Sequence, residues 1–211
     1  MRDWVAWHRA YADPSSSLTA RLQRVRFHLS RAVGQAPAGP VRLVSLCAGQ
    51  GQDVVGVLPG HTRRDDVRAV LVESDARNAA LARQAAAEAG LAQVEVRCAD
   101  ASVVTGFADA LPADVLLLCG IFGNLSDRDI QRTIEAAPAL CAAGATVIWT
   151  RHRRPPDLTA QVRAWFTASG FEEVAFDALG TETLTSVGVH RLRRAAAAPL
   201  PAGPLFTFGT A

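Results

Sequence analysis

Between Val41 and Glu73 the chain reads as an apolar run, a small-residue turn, a helical pattern and a second apolar run closed by one acid. The first run holds Leu43, Val44 and Leu46, and the turn is Cys47-Ala48-Gly49-Gln50-Gly51. The second run, Val67 to Val72, ends at Glu73. Strand, tight turn, helix and strand in that order make a βαβ unit, which belongs in a parallel sheet. Glycine at Gly49 and Gly51 permits backbone angles and a close ligand approach that a Cβ would block. In such a unit the acid at the second strand end accepts from a ribose hydroxyl pair. The pattern implies a nucleoside-containing ligand without saying which.

The rest of the chain continues the alternation. Strands are expected at Arg42–Cys47, Ala69–Glu73, Val94–Cys98, Asp114–Cys119 and Ala145–Thr150. The fourth is an unbroken apolar run, as for a strand covered on both faces. Helices are expected near Gln52, over Ala76–Ala89 after Asp75, weakly over Val104–Ala110, and from Ser126 toward Cys141, with Pro138 kinking or ending the regular part. A further helix carries Leu158, Val162, Trp165 and Phe166 and stops at Gly170. Two final strands, Glu173–Leu179 and Thr185–Leu192, have no helix between them and are most simply antiparallel. The expected fold is therefore α/β: a doubly wound, Rossmann-like, seven-stranded sheet, mostly parallel, with a C-terminal antiparallel strand.

Ahead of the sheet, residues 2–12 suggest a short helix carrying Trp4, Trp7, His8 and Tyr11. Ser16 or Ser17 can cap a second helix whose apolar stripe is Leu18, Leu22, Val25, Leu29 and Val33. The expected division is a helical cap over residues 1–36, a core over 37–194 and a tail over 195–211. Residues 195–204 are Ala/Pro-rich and read as flexible, and Leu205–Phe208 reads as a docking strand or a frayed end.

A formal charge of +2 is too small to argue for nucleic acid or an anionic membrane as partner. No apolar run reaches the length of a membrane span, and the N-terminus has no h-region, so neither a membrane anchor nor a signal peptide is expected. Cys47, Cys98, Cys119 and Cys141 form no CxxC pair, which favours buried thiols in a reducing cytoplasm over metal or disulfides.

Here the chain resembles the class I S-adenosylmethionine-dependent methyltransferases, over about residues 41–193. The resemblance rests on Ser45–Gly51 as the Gly-rich motif, Glu73 after the second strand, Asp100 in Cys98-Ala99-Asp100-Ala101 after the third, Ala113–Gly120 at the fourth, and the C-terminal hairpin from Gly170 to Leu192. It implies S-adenosylmethionine as cofactor, with contacts from Cys47, Ala48, Gly49, Gly51, Asp53, Glu73, Ser74, Asp100, Ala101, Cys119 and Gly120. Glu73 would take the ribose and Asp100 the adenine amino group. In one place the chain departs from the family: Cys47 stands where Asp or Glu is usual, so Asp53, turn carbonyls or the end of the fourth strand must hold the cofactor's ammonium.

Gly120-Ile121-Phe122-Gly123-Asn124 lies where the family places methyl-transfer and substrate contacts. Phe122 is a candidate pocket wall, and Asn124 a candidate for both substrate binding and catalysis. An Asn/Asp-Pro-Pro-aromatic motif is absent there, which argues against methylation of an exocyclic nucleobase amine. His152 after the fifth strand is a candidate general base, in a run that also reads as a solvated basic loop. Trp7 and His8 are candidate substrate contacts. If the second helix docks beside the first or fourth strand, Tyr11 and Arg21 reach over the cofactor, with Arg21 suited to its carboxylate. No histidine has a partner at metal-ligand spacing.

The leading function is methyl transfer to an O, N or C nucleophile of a small molecule. A degenerate binding or scaffold protein of the same fold is the alternative from another class. An NAD(P)-dependent oxidoreductase is the rival enzyme; against it, the third glycine of the dinucleotide fingerprint falls at Val54, and Tyr11 is the only tyrosine.

Overall fold

The computed structural model describes residues 5, 9–13, 15–180, 184–194 and 199–208. Among these, the strands are β1 Val41–Leu46, β2 Val67–Glu73, β3 Val94–Cys98, β4 Ala113–Leu118, β5 Cys141–His152, β6 Phe171–Leu179 and β7 Thr185–Leu192. The helices are α1 Ser17–Gln35, α2 Gln52–Val55, α3 Ala76–Glu88, α4 Asp127–Leu140 and α5 Thr159–Ala168. The strands form one sheet in the order β3-β2-β1-β4-β5-β7-β6. β1 to β5 run parallel, and β7 is antiparallel to both its neighbours. Strand order reverses between β1 and β4, so the carboxyl ends of these two strands flank the crevice where open α/β sheets bind ligands.

Alternation along the strands divides the core into two layers. Leu43, Leu71, Leu117 and Ile148 face α1, α2 and α3, where Val25, Leu29, Val54, Ala79 and Ala82 pack on them. Val44, Val72, Leu118, Val147 and Trp149 face α4 and α5, against Ile130, Ile134, Val162 and Phe166. Side-chain caps start three helices. Ser16 accepts from Leu18 N at the head of α1, Asp75 from Arg77 N and Asn78 N at α3, and Ser126 from Asp129 N at α4. Such caps are worth about 1 kcal/mol each.

Four expectations change. Pro138 lies inside the last turn of α4 without ending it, and the Cys141 N–H bonds back to its carbonyl. β5 starts at Cys141, not Ala145, because a register shift against β4 absorbs the extra residues, with Gly144 at φ +76°. Residues 104–110 form two 3₁₀ turns, Val104–Gly106 and Ala108–Ala110, not a helix. The segment before α1 shows a 3₁₀ turn at Arg9–Ala12, while Trp4, Trp7 and His8 lie outside the described residues.

Under the β6–β7 hairpin, His190 is wholly buried and stacks on Phe166 at 4.5 Å. Its Nδ1 accepts from Trp149 Nε1 at 3.1 Å. Burial pushes its pKa down to about 4, with Glu173 opposing and Arg163 assisting. The unfolded chain takes up that proton near pH 6.5, so the unfolded state binds more protons below that point. This contribution is present above about pH 6.5 and is lost as pH falls toward 4, to a total of about 3 kcal/mol. Urea unfolding at pH 7 and pH 4 should show a smaller acid loss for His190→Gln, which keeps an acceptor for the indole, than for the unchanged protein. Equal losses would assign the acid sensitivity elsewhere.

Candidate functional site

The turn after β1 carries three residues with positive φ: Cys47 at +52°, Gly49 at +57° and Gly51 at +67°. A Cβ on Gly51 would sit 2.7 Å from the Leu71 side-chain tip, and the positive φ there strains any other residue. Cys47 holds a left-handed conformation that is uncommon for a residue with a Cβ. Its thiol is kept protonated by burial, and the carboxylates of Glu73 and Asp100 add to the effect. Three sequence-predicted residues therefore converge at the ends of β1, β2 and β3.

Glu73 is the tie between them. One carboxylate oxygen accepts from Gly49 N at 2.7 Å, and the other from Asp75 N at 2.8 Å. The side chain is buried, and each oxygen keeps a second lone pair for a hydroxyl donor. Ala48 N donates to Val72 O, and Ala99 N to Glu73 O, which fastens both loops to β2. Asp100 is exposed, with Oδ1 accepting from Ser102 N at 2.8 Å. Ser74 is exposed beside it and Ala101 is buried.

A second group gathers over the ends of β1 and β4. Arg21 Nη2 donates to the Tyr11 hydroxyl at 2.7 Å. Burial raises the Tyr11 pKa; Arg21 opposes this, and Asp53 and Cys119 add to it. Asp53 is buried at the start of α2, and burial raises its pKa against the pull of Arg26 and Arg21. Cys119 is likewise held as a thiol by burial and by Asp53. Tyr11, Arg21, Asp53 and Cys119 thus share one electrostatic neighbourhood. α1 itself lies against the sheet through Val25, Leu29 and Val33, and Arg21 belongs to its N-terminal part.

The loop after β4 turns at Gly120, φ +80°, whose N–H donates to Thr150 Oγ1 at 2.8 Å. Asn124 is exposed and donates from Nδ2 to Gly120 O at 2.9 Å. Phe122 is wholly buried, with ring centroids 6.0 Å from Trp149 and 6.5 Å from Phe166. Its ring is a core residue rather than a pocket wall, because the loop folds back over α4 and α5. His152 lies at the end of β5 with Nδ1 buried and without a partner among the described residues, and its ring edge faces Gly123. Its pKa is lowered by burial and by Arg151 and Arg154. The imidazole is therefore neutral, and able to accept a proton, at neutral pH. Trp7 and His8 lie outside the described residues. No cluster of three or more metal-ligating side chains occurs among the described residues, and none of their helices is long and apolar enough to cross a membrane.

Two arginines matter here that the sequence did not single out. Arg26 donates from Nε and Nη2 to Gln52 O, pinning α1 to the Gly-rich turn. Arg151, part of an apparent basic loop, is buried and donates to Phe122 O. No spacing marks Arg26. For Arg151 the clue was available: it continues the Ala145–Thr150 strand by one residue.

No protein-family model matches the chain, and no curated protein matches its sequence. Solved structures do match. An O-methyltransferase family protein from Burkholderia thailandensis superposes with a TM-score of 0.65 at 14% identity, over 88% of this chain and 62% of that one. This chain thus spans under two thirds of that neighbour's length. The magnesium protoporphyrin IX methyltransferase from Synechocystis, solved with bound S-adenosylmethionine, gives 0.66 at 12% identity over 88% of this chain and 89% of that one. A [4+2]-cyclase gives 0.59 at 16% identity over 82% of each chain. Taken with the strand order and the antiparallel β7, these likenesses show that the chain has the fold of the class I S-adenosylmethionine-dependent methyltransferases.

Proposed function

We propose that the protein binds S-adenosylmethionine and transfers its methyl group, in line, to an O, N or C nucleophile of a small molecule. One observation carries this reading: the buried Glu73 carboxylate, at the end of β2 next to the switch-point strand β1, fastens the Gly-rich turn and keeps a lone pair on each oxygen. The donor set suits the cofactor. Glu73 accepts from the ribose hydroxyls, Asp100 from the adenine amino group, and the Cys47–Gly51 backbone lines the cleft with Ser74 and Ala101. Cys47, a protonated thiol, cannot hold an ammonium; Asp53 supplies the carboxylate. Arg21, held by Tyr11, takes the carboxylate of the amino-acid end, and Cys119 and Gly120 border the sulfur. When bound, the cofactor supplies an electrophilic methyl group on a sulfonium. The chain's own part is to orient the acceptor and exclude water, which can take about 7–11 kcal/mol off such a barrier. Asn124 positions the acceptor and His152 removes its proton; Trp7 and His8, outside the described residues, are assigned to the acceptor from the sequence alone. Small acceptors are favoured by the modest charge and by the neighbour that methylates magnesium protoporphyrin IX.

With an acceptor in hand, His152→Gln lowers turnover about a hundredfold, the usual size of a general-base effect. Affinity for S-adenosylhomocysteine stays within about threefold, under about 0.7 kcal/mol. The unchanged enzyme shows an acid limb below pH 6.5, since the His152 pKa lies under its ordinary value, and the variant lacks it. A variant with the same limb returns His152 to a structural role. The reading as a whole is tested with methyl-labelled cofactor and a panel of phenols, carboxylic acids and amines. Label in one acceptor, with S-adenosylhomocysteine released in equal amount, supports it.

A second reading, a binding protein or a fold turned to other chemistry, is favoured by Cys47 in place of an acid and by the cyclase neighbour. Cofactor bound and returned unchanged across the panel points to it. For an oxidoreductase there is less: β7 between β5 and β6 departs from the dinucleotide order, and Val54 is buried where the fingerprint needs glycine.

A further inference from the structure

The loop after β3 is built of short turns, closed by local backbone bonds such as Val103 N to Asp100 O and Gly106 N to Val103 O, both at 3.1 Å. Between Ala99 and Leu111 it makes two single 3₁₀ turns, Val104–Gly106 and Ala108–Ala110. One side is fixed by Arg97, which donates to Gly106 O at 3.1 Å and to both oxygens of Asp109 at 2.6 and 2.8 Å. The other side is fixed from the far end of the chain. Leu205 N donates to Ser102 O at 2.8 Å. Ser102 N in turn donates to Asp100 Oδ1, which leaves Oδ2 without a protein partner among the described residues.

The C-terminal segment is itself held firmly. Leu205 and Phe206 are 1% exposed and join the apolar cluster that contains Ala101, Val104 and Phe107. The Leu205 carbonyl accepts from Arg132 Nε at 3.0 Å and from Thr133 Oγ1 at 3.1 Å, and Thr207 Oγ1 donates to Asp129 Oδ2 at 3.1 Å. The segment therefore bridges α4 to the loop that carries Asp100.

We propose that residues 205–207 are a clamp on the adenine side of the cofactor site: their docking holds the loop after β3 in the conformation that offers Asp100, and is therefore coupled to cofactor binding. The role of Asp100 in this coupling rests on the function proposed above; the mechanical link between segment and loop does not. A segment that orders a binding loop lowers the ordering cost of the ligand, and the effect is reciprocal: the ligand strengthens segment docking by the same factor.

The test compares the full chain with a chain stopped after Gly203. Without any ligand, hydrogen exchange over residues 99–104 should rise at least about tenfold in the shortened chain, with β1 and β4 unchanged. S-adenosylhomocysteine should bind the shortened chain about tenfold more weakly, within the usual range of coupling between sites. A synthetic peptide of residues 199–211 should restore the affinity, and should itself bind about tenfold tighter when S-adenosylhomocysteine is present. If the shortened chain does not fold, Phe206→Ala in the full chain is the deciding variant, with the same changes in smaller measure. Unchanged exchange over 99–104 in a folded variant overturns the clamp, and so does peptide binding indifferent to S-adenosylhomocysteine in a protein that binds both. Failure of the full chain to bind S-adenosylhomocysteine, with exchange still raised, removes the cofactor reading and the coupling built on it.

Discussion

Replacing Glu73 with alanine weakens binding of S-adenosylhomocysteine by about a hundredfold or more, or about 2.8 kcal/mol. Two losses combine. The ribose hydroxyls lose a charged acceptor, and hydrogen bonds to charged groups are worth about 1.5–3 kcal/mol each. The Gly49 N–H, now donating to Glu73 Oε2 at 2.7 Å, also loses its partner in a buried position, so the turn that must approach the ligand loosens. That second loss costs about 1–3 kcal/mol of folding stability as well. Glu73→Gln should rescue little, because one of its two positions would set an amide NH₂ against the N–H of Gly49 or Asp75. Calorimetry checks the affinity and thermal unfolding checks the fold. A folded Glu73→Ala protein with unchanged affinity removes Glu73 from the site.

Removing residues 1–15 abolishes turnover and weakens S-adenosylhomocysteine binding by about a hundredfold or more, while the core stays folded. The cut leaves α1 with its Ser16 cap and its buried Val25, Leu29 and Val33. It removes Tyr11, which orients Arg21 through a 2.7 Å hydrogen bond and is itself half-buried near Asp53 and Cys119. An Arg21 freed of that partner loses the preorganisation that makes a guanidinium a good carboxylate receptor, and water reaching the cleft weakens every charge interaction there. Arg21→Ala in the full chain isolates the guanidinium, with a loss of about tenfold, near 1.4 kcal/mol. Tight binding by the shortened protein, with Arg21→Ala also silent, contradicts a capping role for the segment.

The sheet was legible because its signals are local. The unbroken apolar run of β4, the glycines after β1 and the helix-free link between the last two strands each dictate one feature, and together they dictate the topology. The acid at Glu73 was legible for the same reason: it closes a strand. What escaped the sequence depends on distant packing. The fifth strand reads as Ala145–Thr150, yet a register shift against β4 takes Cys141 to Gly144 into it as well. Phe122 reads as a pocket wall, yet Trp149 and Phe166, over twenty residues away in sequence, pack beside its buried ring. Leu205 and Phe206 read equally as docked or frayed, since the groove that receives them is built by α4 and the loop after β3. The site divides in the same way. The Gly-rich turn and the acid that fastens it were written in the motif, whereas the pairing of Arg21 with Tyr11 and the hold of Arg26 on Gln52 exist only once α1 is laid on the sheet.

The central claim is that the crevice between the ends of β1 and β4 is built for S-adenosylmethionine and not for a dinucleotide. Calorimetric titration of the full chain with S-adenosylhomocysteine, NAD and NADP under one buffer condition tests it directly. The account predicts one-to-one binding of S-adenosylhomocysteine, weakened by Glu73→Ala, with no heat from either dinucleotide. Binding of NAD or NADP with none of S-adenosylhomocysteine would contradict it, as would silence from all three.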